Sequence, residues 1–335
     1  MTRVWTNALP LALTVAMGLT LAACTAPEPA PVEEPSPVAQ GPEVGFRQEE
    51  NVLHIDVGGQ PFADYVFVDE KISRPYFAHV KTPSGVQATR NHPPIPDVDA
   101  TDHAEYHPGI WMAFGDISGN DYWRNKARVE HEGFVGSPEG GPGLGTFAVK
   151  NAYWDNDGAN QVVAEEVTYT ISVSDDGYLL LWDSVYSPYG ETESIVFGDQ
   201  EEMGLGIRVQ TQITEKAGGE MTDATGRVGA DAIWSQQADW IDYSGALDGQ
   251  WVGITIMPDP ANFRPSWYHA RDYGVIVANA LGREAMQAGE KSAVPVAQGE
   301  TLRLRYGVLT HSAASKEEMD VAGAYQRFLS GLAGE

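Results

Sequence analysis

Hydrophobic and polar residues alternate along much of the chain. Leu53, Ile55 and Val57 are separated by polar residues, and the same period of two recurs over residues 167–173 and 302–308. A period of two places successive side chains on opposite faces of a strand. Each of these segments is therefore predicted to be a half-buried β-strand.

Two tight turns are predicted between such segments. Asp176-Gly177 follows the alternating residues 167–173, and Asp248-Gly249 precedes an apolar run at residues 251–257. Asp-Gly pairs readily adopt the left-handed backbone that short hairpin loops require. Each pair therefore predicts an antiparallel hairpin.

Only the C-terminus has a helical pattern. Ser315 and Glu318 have the spacing of a capping box, which predicts that a helix begins there. The residues that follow would place one apolar stripe along this helix. The stripe consists of Val321, Tyr325, Phe328, Leu329 and Leu332.

These patterns predict an all-β domain over residues 44–335. We find no internal repeat and no change of composition within it, so a large antiparallel β-sandwich with a short C-terminal helix is the simplest architecture. Two smaller sub-domains are the alternative. The 36 glycines and 21 prolines fit a chain with many turns, and a hydrophobic content of 42% is enough for a core.

The N-terminus resembles a bacterial lipoprotein signal. An apolar stretch at residues 8–21 ends in Leu21-Ala22-Ala23-Cys24, and Cys24 is the only cysteine in the chain. The resemblance implies a signal peptide at residues 1–23 and an acylated Cys24 as the mature N-terminus. It implies a cell-envelope location, with Thr25 favouring the outer membrane. An ordinary secretory signal with an incidental cysteine is the alternative.

The segment at residues 24–43 is rich in proline and glutamate. Such a composition forms an extended tether rather than a core. In this interpretation the only contact with the membrane is through the N-terminal lipid.

The charge of the chain excludes one class of partner. It has 21 Lys and Arg against 47 Asp and Glu, a formal net charge of −26. Nucleic-acid binding depends on Lys and Arg neutralising phosphates, so no nucleic-acid partner is expected.

Ionisable residues are concentrated in a segment that precedes a predicted strand at residues 110–114. Gly and Pro interrupt this segment, so we expect a loop, where binding residues are commonly found. Imidazole and carboxylate groups together are suited to general acid and base catalysis. The candidate catalytic residues are Asp102, His103, Glu105, His107 and Asp116.

Two further clusters offer groups that could hold a ligand. Residues 267–274 combine His269, Arg271 and Asp272 with three aromatic residues, and Arg74, Arg90 and His92 lie upstream. Aromatic faces stack on sugar rings, and charged groups bind hydroxyls. The candidate substrate-binding residues are Arg74, Arg90, His92, Trp111, Glu202, Arg208, His269, Arg271 and Asp272.

Three interpretations of these clusters stay open. The groups could bind a divalent metal, although no spacing matches a zinc signature. They could form an acid–base site for a carbohydrate. Alternatively, the histidines are hydrogen-bonded structural residues and the aromatic residues belong to the core.

Four motifs in this order resemble the DUF6807 family, whose members are often labelled "PmoA-like" or "methane oxygenase". The resemblance spans roughly residues 46–311. The motifs are Arg74-Pro75-Tyr76 with Thr82-Pro83-Ser84-Gly85, Asp102-His103 with His107-Pro108-Gly109-Ile110-Trp111 and Gly115-Asp116, Trp240-Ile241-Asp242-Tyr243-Ser244-Gly245, and His269-Ala270-Arg271-Asp272-Tyr273-Gly274.

The resemblance implies a β-sandwich of the galactose-mutarotase-like type and a link to carbohydrate processing. Relatives read His-His-Arg-Gly where this chain has Tyr106-His107-Pro108-Gly109, so an imidazole and a guanidinium are missing here. A methane oxygenase is not expected, because no stretch of about twenty apolar residues follows the signal.

Two hypotheses of function follow. The first is a carbohydrate-active enzyme (a hydrolase, lyase or epimerase), in which His103 or His107 works with Asp102, Glu105, Asp116 or Glu202. In it Arg74, Arg208 and Arg271 would bind substrate oxygens. The second is a surface lipoprotein that binds carbohydrate without catalysis. For the enzyme, we expect the segments around residues 102–116 and 267–272 to form opposite walls of one polar pocket.

Overall fold

A computed structural model describes residues 41–333. The predicted signal peptide, Cys24 and most of the predicted tether lie outside the described residues. The first strands are β1 (Glu43–Glu49), β2 (Val52–Val57), β3 (Gln60–Val66), β4 (Tyr76–Ala78), β5 (Ile110–Phe114), β6 (Val129–Phe134), β7 (Glu139–Pro142), β8 (Leu144–Trp154), β9 (Gln161–Ser174) and β10 (Gly177–Pro188).

The second half of the described chain adds nine strands and two α-helices. They are β11 (Ser194–Phe197), β12 (Met203–Arg208), β13 (Glu220–Asp223), α1 (Ala230–Ile233), β14 (Ile241–Leu247), β15 (Gln250–Pro258), β16 (Trp267–Arg271), β17 (Val275–Asn279), β18 (Val294–Ala297), β19 (Leu302–Ala313) and α2 (Val321–Leu332).

Seventeen strands form one antiparallel sheet folded into two layers. The first layer has the order β16-β17-β12-β5-β4-β3-β2-β1, and the second has β13-β14-β15-β19-β10-β9-β8 with β6 and β7 at the β8 edge. The layers are continuous because β1 pairs with both β2 and β7. Strands β11 and β18 form a separate pair. The predicted large antiparallel β-sandwich is confirmed.

Aromatic side chains from both layers meet in the core. Tyr65 of the first layer lies 5.2 Å from Phe147 and 5.1 Å from Tyr169 of the second, measured between ring centroids. Phe77 likewise contacts Trp182 at 5.7 Å. All five rings are buried, so this contact joins the two layers.

The predicted hairpins are present, with one change in a turn. Asp248 and Gly249 join β14 to β15 with φ angles of 52° and 77°, the left-handed conformation expected of a two-residue turn. In the other hairpin Ser174 pairs with Gly177, so the turn consists of residues 175–176, one position earlier than predicted.

The C-terminal helix is confirmed, but it begins later than predicted. Asp320 caps α2 by accepting a hydrogen bond from the amide of Gly323 at 2.8 Å. Ser315 instead precedes a short 3-10 turn and makes no side-chain cap. Phe328 and Tyr325 pack on Leu181, Met257 and Leu309 of the second layer. Within residues 41–333, no helix has the length and apolar character needed to span a bilayer.

Candidate functional site

The candidate site lies on the outer face of the first layer, which is the side of β5, β12, β16 and β17 that points away from the core. Opposed residues in antiparallel strands share a face. Gly206 lies opposite both Trp111 and Val277, and Val277 lies opposite His269. Arg208 and Arg271 are both opposite Val275. The register therefore places residues from both predicted clusters on one face.

Most of the second predicted cluster lies in a strand. Residues 267–271 form β16, in which Tyr268 and Ala270 face the core while His269 and Arg271 face outward. Only residues 272–274 form the turn to β17. Tyr268 thus belongs to the core, as one of the three interpretations of these clusters states.

A glycine gives the outer face the room for an indole ring. A Cβ atom on Gly206 would lie 2.5 Å from Cε2 of Trp111, far inside van der Waals contact. The Trp111 side chain therefore lies across β12 and is fully buried there.

Residues 100–109, which we call the site loop, lie over this face and are held by buried arginines. Arg90 donates to the backbone carbonyls of Ala100 and Asp102, at 2.7 Å each, and to that of His107 at 3.0 Å. Burial lowers the pKa of Arg90 to about 10. Its donors face the loop backbone, so the geometry gives Arg90 a positioning role in place of the predicted contact with substrate.

Arg74 holds the same loop at Tyr106. It donates to the carbonyl of Tyr106 at 2.7 Å, to those of Tyr122 and Trp123, and to Oδ1 of Asn125 at 2.9 Å. The side chain is buried, and burial lowers its pKa to about 10. Arg74, like Arg90, is occupied by the protein itself.

Arg208 and Asp102 form a bidentate ion pair. The two guanidinium nitrogens lie 2.9 and 2.7 Å from the two carboxylate oxygens. Burial acts to raise the pKa of Asp102, but hydrogen bonds from Arg208 and His103, with the charges of Arg208 and Arg90, lower it to about 2. Asp102 is therefore ionised at neutral pH, and the predicted substrate-binding Arg208 is bonded to it.

His103 is oriented by this carboxylate and faces solvent. Its Nδ1 atom lies 2.9 Å from Oδ2 of Asp102, and its side chain is 49% exposed. Its Nε2 atom has no hydrogen-bond partner among residues 41–333. The backbone has a φ of 50°, which turns the loop at this residue.

His107 lies beneath His103 and is buried. Its ring stacks on Trp111 with a centroid distance of 5.0 Å and an interplanar angle of 10°, and on His103 at 5.0 Å and 23°. Tyr273 covers His103 on its other side at 6.2 Å and 12°. Burial, followed by the charges of nearby arginines and His103, lowers the pKa of His107. A neutral, enclosed His107 supports His103 and is shielded from solvent.

A second group of side chains, the Glu201 cluster, adjoins Tyr273. Oε1 of Glu201 accepts hydrogen bonds from Nε1 of Trp234 and Nδ1 of His269, both at 2.7 Å, and from Arg271 at 2.5 Å. Burial acts to raise the pKa of Glu201, but the hydrogen bonds and charges of these partners lower it to about 2. The other oxygen, Oε2, has no hydrogen-bond partner within the described part of the chain.

Sequence reasoning missed Glu201 and selected its neighbour. Glu202 instead bonds Arg124 at 2.5 Å, and Arg124 also bonds Asp121. The buried Asn279 fixes this segment by donating to the carbonyls of Gln200 and Glu201 at 2.8 and 3.1 Å. Two consecutive glutamates on a segment without periodicity give no signal that distinguishes one from the other.

The remaining predicted residues are dispersed. Asp116 accepts from the amide of Gly119 at 2.8 Å in a turn, and Asp272 pairs with Lys216 at 3.2 Å. Glu105 is exposed on the site loop. His92 contacts Tyr76 edge to face, at 5.1 Å between centroids.

Two cavities are lined by residues of the predicted clusters. One, of about 250 Å³, lies beside Arg271 and Asp272 and is also lined by Trp234 and Asp231. The other, of about 500 Å³, is lined by Tyr76, His92 and Glu105, among others. The two predicted segments thus contribute to different cavities, and the site loop that carries His103 lines the larger one.

Metal ligation was one interpretation of these residues. Across residues 41–333, no three or more His, Cys, Asp or Glu side chains are grouped so that they could hold a metal ion. The carboxylates of the site are instead bonded to Arg and His side chains.

Comparison with known proteins identifies the family of this chain. The model of a family of unknown function (DUF6807) matches residues 52–325. A search of curated proteins gave no significant match.

Several solved structures match this chain at low identity. A β-arabinopyranosidase has 10% identity and a TM-score of 0.43, with 74% of this chain and 38% of that chain covered. A galactose mutarotase-like protein from Lactobacillus casei ATCC 334 has 9% identity and a TM-score of 0.33, with 80% and 100% covered. A heparan sulfate lyase from Pedobacter heparinus has 7% identity and a TM-score of 0.38, with 82% and 36% covered. The chain therefore spans little more than a third of the first and last of these proteins.

Proposed function

This chain belongs to the DUF6807 family of unknown function, and we propose that it binds a sugar on the outer face of its first layer and uses His103 as a general acid and base. The observation that carries the proposal is the pair formed by Asp102 and the half-exposed His103. A neutral imidazole that donates from one nitrogen to a carboxylate presents the lone pair of the other.

The surroundings of the pair favour proton transfer. Arg208 holds Asp102 in its ionised form, so the carboxylate accepts from Nδ1 of His103 and Nε2 is left to take a proton from a substrate hydroxyl. The stack of Tyr273, His103, His107 and Trp111 restricts rotation of the imidazole. A fixed orientation is what an acid–base group requires.

The chemistry of the neighbouring groups supports a polyhydroxylated ligand. Glu201 offers an ionised oxygen that can accept from a hydroxyl, and Arg271 can donate to one while it remains paired with Glu201. Trp234, which lines the cavity beside Arg271, offers an aromatic face suited to the C–H side of a pyranose. His103 would transfer the proton and Glu201 would orient the sugar.

The test compares the wild-type protein with His103→Gln on a panel of monosaccharides, oligosaccharides and aryl glycosides. Turnover is followed by NMR, which detects hydrolysis, elimination and epimerisation alike. We expect turnover by the wild type and a loss of roughly 10²- to 10⁴-fold in His103→Gln, with sugar binding retained. Equal turnover by both proteins would contradict the role of His103.

Binding without turnover by the wild type would instead support the second hypothesis, a non-catalytic carbohydrate-binding protein. In that case the same residues would contact the sugar, but His103 would act only as a hydrogen-bonding group. Calorimetric titration with the same panel separates this outcome from the complete absence of a sugar ligand.

We propose in addition that the protein is a lipoprotein of the cell envelope. The proposal is supported by the apolar segment that ends in Leu21-Ala22-Ala23-Cys24. Cys24→Ser should move the protein from the membrane fraction to the soluble fraction. If the variant still sediments with outer membranes, Cys24 does not anchor it.

A further inference from the structure

The larger cavity beside the site loop, which we call the Tyr76 cavity, has no role in the function proposed above. Its volume of about 500 Å³ falls within the range of small-molecule sites, roughly 300–1,000 Å³. Val52, Val66, Val68 and Ile72 provide apolar walls, while Tyr76 and His92 provide aromatic ones. Such a lining is suited to a ligand with both apolar and polar surface.

The rim of the Tyr76 cavity is preorganised. Asp69 accepts hydrogen bonds from the amides of Lys71 and Ile72 at 2.7 and 2.9 Å through one oxygen, and from the hydroxyl of Tyr76 at 2.8 Å through the other. These bonds fix the loop after β3 against β4. A ligand would therefore meet a formed wall and pay little entropy to order it.

The charges around the cavity favour a neutral ligand. Asp69, Glu70 and Glu105 line it together with one cation, Lys71. Burial lowers the pKa of His92 to about 4, so this imidazole adds no positive charge at neutral pH. An acidic sugar would meet an excess of negative charge here.

The Tyr76 cavity borders the site loop that carries His103. Glu105 lines the cavity and lies only two residues from His103, a backbone span of at most about 7 Å. Tyr76 and Trp111 also belong to one buried cluster on the outer face. One ligand can therefore contact the cavity and His103 at the same time if it is longer than a single sugar ring.

We propose that the Tyr76 cavity is a second sugar subsite, and that the ligand of this protein is a neutral oligosaccharide of two or more residues. The inference rests on the proposed function, because it requires that a sugar binds beside His103. To that function it adds the class of ligand and a second surface that contacts the ligand.

The experiment fills the cavity and measures which ligands are affected. Val68 is 49% exposed at the cavity wall, so Val68→Trp should occupy the space without disturbing the core. Val135→Trp is the matched control, because Val135 is 43% exposed and does not line the cavity. The probes are an array of neutral mono- to hexasaccharides and their uronic-acid analogues, followed by calorimetry with the neutral series that binds.

We expect the wild type to bind a neutral oligosaccharide at least tenfold more tightly than the matching monosaccharide, and the uronic-acid analogues more weakly. Val68→Trp should abolish the additional affinity for the oligosaccharide and leave the affinity for the monosaccharide unchanged. Val135→Trp should bind both as the wild type does. The subsite would be overturned, but not the proposed function, by either of two results. One is equal affinity of the wild type for mono- and oligosaccharides, and the other is a Val68→Trp variant that keeps the additional affinity for the oligosaccharide. Failure of every sugar to bind would contradict both.

Discussion

Three donors converge on one oxygen of Glu201, and this arrangement links the stability of the protein to pH. The pKa of Glu201 is lowered from its ordinary value to about 2 in the folded state. A lowered carboxyl pKa stabilises the fold above the unfolded pKa, and this stabilisation is lost as the pH falls through the folded pKa. The pH window is therefore about 4.5 down to 2.

We expect Glu201→Gln to lower the free energy of unfolding by about 2–3 kcal/mol at pH 7. The side chain is 27% exposed, so solvent screening makes this range an upper bound. Urea denaturation of both proteins at pH 7 and at pH 3 measures the effect. The difference should shrink at pH 3, and a difference independent of pH would show that it comes from packing alone.

The ion pair of Asp102 and Arg208 leads to a second prediction, about the stability of single and double variants. Arg208 is almost completely buried, so Asp102→Asn leaves its guanidinium without a counter-charge. We expect a loss of about 1–3 kcal/mol in stability. Replacing both residues, Asp102→Asn with Arg208→Met, should recover part of this loss because no buried charge is left unpaired.

Thermal unfolding of the two variants and the wild type measures this recovery. A double variant less stable than Asp102→Asn would show that Arg208 contributes through packing on Tyr273, over which its guanidinium lies at 4.8 Å. At this scale the sequence identified Asp102 and His103 as neighbouring candidates, and the structure places them in contact. It could not predict that Arg208 would serve Asp102, because 106 residues separate them and no local pattern links them.

At the scale of elements, the outer face depends on the absence of a side chain at Gly206. A Cβ there would meet the Trp111 indole at 2.5 Å, so Gly206→Ala must displace the ring on which His107 stacks. Overpacking of this kind costs about 1–3 kcal/mol. We expect that loss in urea denaturation, together with a changed near-ultraviolet circular dichroism signal of the tryptophans.

Gly45 provides the matched control. It also lies in a strand, and a Cβ atom there would meet nothing within 4 Å. Gly45→Ala should leave both stability and the tryptophan signal close to the wild type. If Gly206→Ala behaves in the same way, Trp111 can shift without cost and the stack is not fixed by this strand.

The boundaries of strands and helices were predictable where hydrophobic and polar residues alternate regularly. They were less predictable where a polar residue could either cap a helix or lie in a strand or turn. Residues 52–57 and 302–313 form the expected strands. The start of α2 was misplaced because Ser315 and Asp320 are both good capping residues, and only the packing of the helix on β10 and β19 selects Asp320. Residues 267–271 were not predicted as a strand, because their polar side chains concealed the alternation that turns every second residue to the core.

At the scale of the whole molecule, the sequence predicted the class of fold but not its connections. Strand β12 pairs with β5 and β17, which lie about 90 and 70 residues away along the chain. These pairings bring Trp111, Arg208 and His269 onto one face. They follow from the closure of the entire sheet, so no local pattern of residues could predict that the two clusters would share one face.

The net charge of −26 is also a property of the whole molecule. Self-repulsion among so many carboxylates destabilises the compact state, and 0.1 M salt screens such interactions beyond about 10 Å. We expect the melting temperature to rise by about 2–4 °C between 10 and 150 mM NaCl, the shift that corresponds to about 1 kcal/mol in a domain of this size. Choline chloride should give the same rise if screening is the cause.

Surface ion pairs such as Lys150 with Glu166 are weakened by the same salt. A flat or falling melting temperature would therefore mean that the loss of such pairs outweighs the relief of repulsion.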